Sequence, residues 1–313
     1  MLIDTPSENQ NLCSATTPSQ RTVMKTRPMR SLHTYGKLIK FSHTVFALPF
    51  ALAAVTLAHR EKPLTITTLF WIVVAMVAAR SAAMGFNRLV DVRFDRLNPR
   101  TADRPSVTGE ISMQAMVWFI AGSSLVFLLS AAMLGPLCLK LALPCLAVLF
   151  GYSYTKRFTA ASHLYLGTAI GLAPLGAWIA VTGSFDGRIL WLSGALMTYI
   201  AGFDILYACQ DVDFDRSMGL HSLPSRWGIE KALRFSATLH AVTVVCLMAL
   251  GLAFHRGRVY YLFVCVIAGL LVLEHRLVRP HRLDRIPIAF FHVNSVVSIL
   301  LLAAVWLDAL RTT

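Results

Sequence analysis

The chain has 313 residues, 56% of them hydrophobic and only 14% charged, with a formal net charge of +13. That balance excludes an ordinary soluble globular domain and reads as an all-α, polytopic membrane protein whose partner is a lipid bilayer. The basic residues are spread through short loops between apolar runs and are not interleaved with an aromatic face, so no nucleic acid is expected as a partner.

Residues 1–37 are rich in Ser, Thr, Pro and basic residues and hold no apolar core of signal-peptide length, so they read as a disordered tail. Residues 38–313 read as one transmembrane domain of nine helices around a central cavity. The first span is expected from about Leu38 to His59. It carries His43, a polar group at membrane depth that can serve a substrate site or bond a neighbouring helix. The second, about Ile66 to Asp91, holds Arg80 and Arg88 on either side of the small-residue stretch Ser81 to Gly85, which lets helices approach closely. A polar loop rich in turn formers follows, Asn98-Pro99-Arg100-Thr101-Ala102-Asp103-Arg104-Pro105, and it supplies several cations.

Spans three and four run from about Met113 to Leu134 and from about Pro136 to Tyr154, joined by a tight turn. Tyr152 and Lys156 stand at i, i+4 at the end of the fourth. The fifth, about His163 to Val181, contains Gly167, Gly171, Pro174 and Gly176, which predict a kinked or closely packed helix. The sixth, about Ile189 to Asp211, contains Asp204, Tyr207 and Gln210, and the loop after it holds His221-Ser222-Leu223-Pro224 and Arg226. The last three fall near Leu233 to Phe254, Val259 to Leu277 and Ile286 to Leu307, each long enough to cross about 30 Å of hydrocarbon. The six cysteines lie mostly inside apolar runs, without C-x-x-C spacing, and read as packing residues.

One phrase occurs twice: Asp91-Val92-Arg93-Phe94-Asp95-Arg96 and Asp211-Val212-Asp213-Phe214-Asp215-Arg216. Each copy ends an apolar run, so on a helix its carboxylates at i and i+4 fall on one stripe where hydrocarbon gives way to water. Asn87 extends the first stripe by a turn. Carboxylates at a helix C-terminus repel one another and the macrodipole, an arrangement that is unfavourable unless cations gather there. Four helices separate the copies, so they emerge on the same side with the same polarity, as a four-helix parallel repeat requires. Lys and Arg collect in the loops of that side, which predicts that the N-terminus and both phrases face the cytoplasm of an inner membrane.

Hard divalent cations such as Mg²⁺ prefer oxygen ligands and are commonly held by one or two carboxylates with substrate phosphate oxygens. Asn87, Asp91 and Asp95 on one side, with Asp211 and Asp215 on the other, are the candidate ligands of two half-sites clamping one diphosphate. Arg96, Arg104, Lys156 and Arg226 are candidate partners for the remaining phosphate charge. A carboxylate cluster among apolar helices makes most sense for a lipid head group, which points to a polyprenyl diphosphate. A transporter with a midplane ion site is the alternative, but it calls for acids near the bilayer centre, and only Asp204 fits.

Asn87-x-x-x-Asp91-x-x-x-Asp95, Tyr152-x-x-x-Lys156 and Asp211-x-x-x-Asp215 resemble the signature motifs of the UbiA superfamily of intramembrane aromatic prenyltransferases. Phe203-Asp204-Ile205-Leu206-Tyr207 and His221-Ser222-Leu223-Pro224 resemble the 4-hydroxybenzoate polyprenyltransferase branch and its menaquinone-pathway relatives. The resemblance implies Mg²⁺-assisted loss of diphosphate and transfer of the prenyl group to a ring carbon of a small aromatic acid. Within it, Tyr152, Lys156 and His43 are candidate substrate contacts, and Lys156, Asp204 and Tyr207 are candidate catalytic groups. The ring face of Tyr207 can stabilise an allylic cation. Asp204 can orient the acceptor or receive its proton, or it can be a paired aspartate bonding a neighbouring helix.

Overall fold

The computed structural model describes residues 34–36, 38, 46–283, 286 and 293–311. They form nine principal helices: α1 (Leu48–Ala58), α2 (Ile66–Leu97), α3 (Met113–Leu134), α4 (Pro136–Thr155), α5 (Ser162–Thr182), α6 (Leu190–Ala208), α7 (Ile229–Ala253), α8 (Arg258–Leu277) and α9 (Asn294–Arg311). Among the described residues, eight segments are long and apolar enough to cross a membrane, one fewer than the nine expected. The difference lies in α1, which has 11 residues, while residues 39–45 of the expected first span, His43 among them, lie outside the described residues.

Local chemistry sets the helix limits. Thr65 and Ser112 cap α2 and α3 by accepting from the backbone N–H of Thr68 and Ala115. The only residue between α3 and α4 is Gly135, at φ 126°, and Pro136 then opens α4 where its missing N–H is harmless. With 32 residues α2 is about 48 Å long, well beyond the hydrocarbon thickness, so its acidic last turns extend to the membrane face. Asn98, extended before Pro99, ends it.

Consecutive helices from α2 to α9 pack side by side, α9 returns to α1, and α1 packs against α5. The α5–α6 contact is close because of two glycines. A Cβ on Gly171 would stand 3.0 Å from the Ser193 carbonyl oxygen, and one on Gly167 would run into the Met197 carbonyl. The core joins Phe50, Trp178, Tyr199 and Tyr260, while Trp118, Leu252 and Leu262 point outward, as a lipid-facing surface allows.

Several polar groups inside the bundle pair across helices. His240 meets His275 at 3.0 Å, and Asn294 donates to buried Glu274 at 3.1 Å, joining α7, α8 and α9. At the end opposite the acidic phrases, Asp308 accepts from the Gly257 N–H, Arg60 donates to the Ala309 carbonyl, and Arg188 bridges Asp186 and Glu61.

Candidate active site

The first acidic stripe lies on the last turns of α2, as its spacing requires. Asn87 Nδ2 donates to Asp91 Oδ2 at 2.8 Å, and Asp95 is buried. The second stripe is built differently from the continuous helix expected. After Ala208 the chain tightens into a 3₁₀ turn, Cys209–Asp211, and restarts as a short helix, Val212–Ser217. Asp211 and Asp215 are nevertheless both buried, and Asp213 between them is exposed.

Both stripes line one polar cavity of about 270 Å³. Their cations come from three places. From α2 itself, Arg88 reaches Asn87 Oδ1 at 3.4 Å and Asp95 Oδ2 at 3.7 Å. From the end of α4, Lys156 Nζ stands 3.8 Å from Asp215 Oδ2, and Arg157 Nη2 stands 3.4 Å from Asp91 Oδ1. From the loop after α2, Arg104 donates to Asp95 Oδ1 at 2.5 Å, whereas Asn98 and Arg100 cross the cavity to Asp211. That loop therefore ties the two acidic phrases together. Burial works against the Arg100 charge, but its hydrogen bonds to Asp211 and the carboxylate charges of Asp211 and Asp95 nearby hold the guanidinium above its usual value.

Asp204 and Tyr207, on the last turns of α6, also line the cavity. One face of Tyr207 is covered by the Arg100 guanidinium, which lies 5.0 Å from the ring centroid and donates to the hydroxyl at 2.8 Å. Asp204 Oδ2 is 2.7 Å from Nδ1 of His163, which is fully buried on the first turn of α5. Arg96 and Arg226, two of the expected phosphate partners, are exposed and are not among the residues lining this cavity.

The residues that sequence reasoning left unassigned are Arg88, Asn98, Arg100, Arg157 and His163. Arg100 and Asn98 belong to the loop whose cations stood out as a group, and Arg157 adjoins Lys156. His163 gave no comparable signal.

A second cavity, about 230 Å³ and almost wholly apolar, continues inward between α2, α3, α4 and α5. Ala47, Arg80, Met84, Tyr152, Leu166 and Ile170 line both cavities, so the charged one opens directly into the apolar one.

The donor set fits a hard divalent cation. Asp95 Oδ2 and Asp215 Oδ2, one from each phrase, are buried without a hydrogen-bond partner in the described residues. Among those residues no three His, Cys, Asp or Glu side chains converge on one point. Each phrase can therefore offer a carboxylate pair whose remaining ligands come from elsewhere, as phosphate oxygens and water would supply for Mg²⁺.

The model of the UbiA prenyltransferase family matches residues 47–296. The chain belongs to that family. It is 30% identical to the 4-hydroxybenzoate octaprenyltransferase of Aromatoleum aromaticum, over 92% of this chain and 95% of the relative. Identity to the Vibrio parahaemolyticus enzyme of the same name is 29%, over 89% and 96%. The fold matches a UbiA homolog from Aeropyrum pernix with TM-score 0.77 and 33% identity, covering 85% of this chain and 98% of that one. A UbiA homolog from Archaeoglobus fulgidus bound to DMAPP and Mg²⁺ shares the fold at TM-score 0.68 and 20% identity, covering 88% and 99%. This member of the UbiA family is thus a membrane-embedded prenyltransferase, which sets the transporter alternative aside.

Proposed function

We propose that this prenyltransferase moves a polyprenyl group from polyprenyl diphosphate to a ring carbon of a hydroxyaromatic acid, of the 4-hydroxybenzoate or menaquinone-precursor kind, in quinone biosynthesis. The observation that carries this reading is the charged cavity opening into an apolar one through shared residues. A diphosphate head fits the first and an isoprenoid chain the second. The curated relatives' names favour 4-hydroxybenzoate as acceptor, and the basic loops favour a carboxylate site facing the cytoplasm.

Asn87, Asp91, Asp95, Asp211 and Asp215 would hold Mg²⁺. Bound there, the ion would supply charge stabilisation to the departing diphosphate. Lys156, Arg88, Arg100, Arg104 and Arg157 would bind the phosphate oxygens not taken by metal. In the reaction the allylic C–O bond breaks and its electron pair leaves with the diphosphate. A ring π pair forms the new C–C bond, and the hydrogen on that ring carbon departs as a proton. Asp204, which lines the charged cavity, would receive it, while Tyr152, Leu166 and Ile170 would exclude water where the cavities meet.

Purified protein incubated with labelled farnesyl diphosphate, Mg²⁺ and a panel of hydroxyaromatic acids tests this. A C-prenylated acid, lost on chelation and regained with Mg²⁺, is the expected product. Diphosphate release with every acid recovered unchanged would overturn the proposal.

A further inference from the structure

The Asp204–His163 pair lies outside the duplicated acidic phrases, yet it joins the cavity to the segment that follows the second of them. Nε2 of His163 accepts from the Leu223 backbone N–H at 3.3 Å, while Nδ1 lies 2.7 Å from Asp204 Oδ2. A backbone N–H can only donate, so Nε2 carries no proton and the neutral ring carries its proton on Nδ1. Asp204 is therefore the acceptor in this pair. The same segment is held on its other side, where the His221 N–H donates to the Lys156 carbonyl at 2.7 Å and the Leu220 N–H to the Asp215 carbonyl at 2.8 Å.

From this geometry we infer that His163 is a positioning residue: it fixes Asp204 through Oδ2 so that the other oxygen, Oδ1, accepts a hydrogen bond from the ring hydroxyl of the aromatic substrate. The inference rests on the prenyl transfer proposed above and adds the acceptor's orientation to it. The Asp204 side chain is 25% exposed and lines the polar cavity, whereas His163 has no exposure at all. One oxygen is committed to the imidazole; the other has no hydrogen bond among the described residues, on a side chain that lines the space where an acceptor ring would lie. A carboxylate accepts an O–H and repels another carboxylate. The acid group of the substrate would then point away from Asp204, toward the arginines on α2 and its following loop. Hydrogen bonding by the phenolic O–H to an anionic oxygen raises electron density in the ring, most at the positions ortho and para to the hydroxyl. Carbon attack there requires that density.

A purely structural bond between α5 and α6 would be indifferent to which substrate is present, and this separates the two roles. The measurement compares wild type, His163→Leu, His163→Asn, Asp204→Asn and the double variant His163→Leu/Asp204→Asn, using farnesyl diphosphate and 4-hydroxybenzoate. The expected result is that His163→Leu raises KM for the acid or lowers kcat by about tenfold or more, roughly 1.4 kcal/mol, and leaves KM for farnesyl diphosphate within about twofold. His163→Asn supplies an N–H near the position of Nδ1 and should recover most of the loss. The double variant should be no worse than Asp204→Asn alone, since the acceptor's orientation by His163 runs through that carboxylate. Equal losses for both substrates, no recovery with Asn, or losses that multiply in the double variant would each overturn the inference. If wild type prenylates no acid, the functional reading fails separately. Calorimetric binding of 4-hydroxybenzoate to wild type and His163→Leu then decides: weakening of about tenfold upholds the positioning role, and unchanged binding or no binding to either overturns it.

Discussion

Arg100 grips Asp211 with two nitrogens, Nε 2.9 Å from Oδ1 and Nη2 2.5 Å from Oδ2. It joins the loop after α2 to the second acidic phrase, and its third nitrogen donates to Tyr207. One guanidinium thus occupies the carboxylate proposed to bind metal and covers the ring of a candidate catalytic tyrosine. When a diphosphate enters, the same planar fork can turn from carboxylate to phosphate oxygens, which have matching geometry. Arg100→Ala should lower kcat/KM by about 10²-fold. Arg100→Lys, which keeps charge and loses the fork, should lower it by about tenfold. Steady-state assays with farnesyl diphosphate check both, and an Arg100→Ala enzyme of normal activity would remove this residue from the site.

If each phrase supplies a carboxylate pair, loss of either should stop turnover, because stabilisation of the leaving group acts in the transition state. Asp91→Ala and Asp211→Ala should each lower kcat by well over tenfold. Asp213, exposed and two residues from both Asp211 and Asp215, is the control, and Asp213→Ala should stay within about threefold of wild type. Comparable losses for all three would mean that the cavity is not where the diphosphate sits.

Cations divide in the same way. Arg104 and Arg88 contact Asp95 inside the cavity, while Arg96 and Arg226 lie outside it. Arg104→Ala should raise KM for prenyl diphosphate by about tenfold or more. Arg96→Ala and Arg226→Ala should change it by no more than about twofold, as surface substitutions usually do. A strong effect at Arg226 would show that its loop closes over the bound substrate.

The apolar cavity predicts a dependence on chain length. Ala142 and Ala169, both buried, line it. Ala142→Phe or Ala169→Phe would fill space that a long isoprenoid needs. Activity with long polyprenyl diphosphates should fall by about tenfold or more, and activity with dimethylallyl diphosphate should fall much less. Equal losses for short and long donors would place the chain elsewhere.

Orientation can be read by single-cysteine labelling in a variant freed of native cysteines. Ala102→Cys, in the exposed loop after α2, should react with impermeant reagents from the cytoplasmic side only, and Ser184→Cys, in the exposed turn after α5, from the opposite side only. The reverse pattern would place the carboxylates on the outer face.

Much of this protein was legible in order along the chain. Apolar runs of membrane length fix where helices fall, because hydrocarbon leaves the backbone no other way to satisfy its polar groups. The duplicated Asp phrases, which line one cavity, drew attention for a related reason. Carboxylates at a helix end are unfavourable unless something binds them, so their recurrence, with Lys156 and Tyr152 one turn apart, pointed to a ligand. What the chain order could not supply was which cation meets which carboxylate. Arg96 adjoins Asp95 in sequence yet faces outward, whereas Arg104, nine residues away, makes the contact. Arg100 reaches Asp211 across 111 positions, and His163 reaches Asp204 across 41. The break in the helix at Cys209–Asp211 is likewise invisible in a phrase that matches its α-helical copy. Helical periodicity acts over a few residues, but charge pairing inside a bundle depends on which helices become neighbours, and only the packed structure decides that.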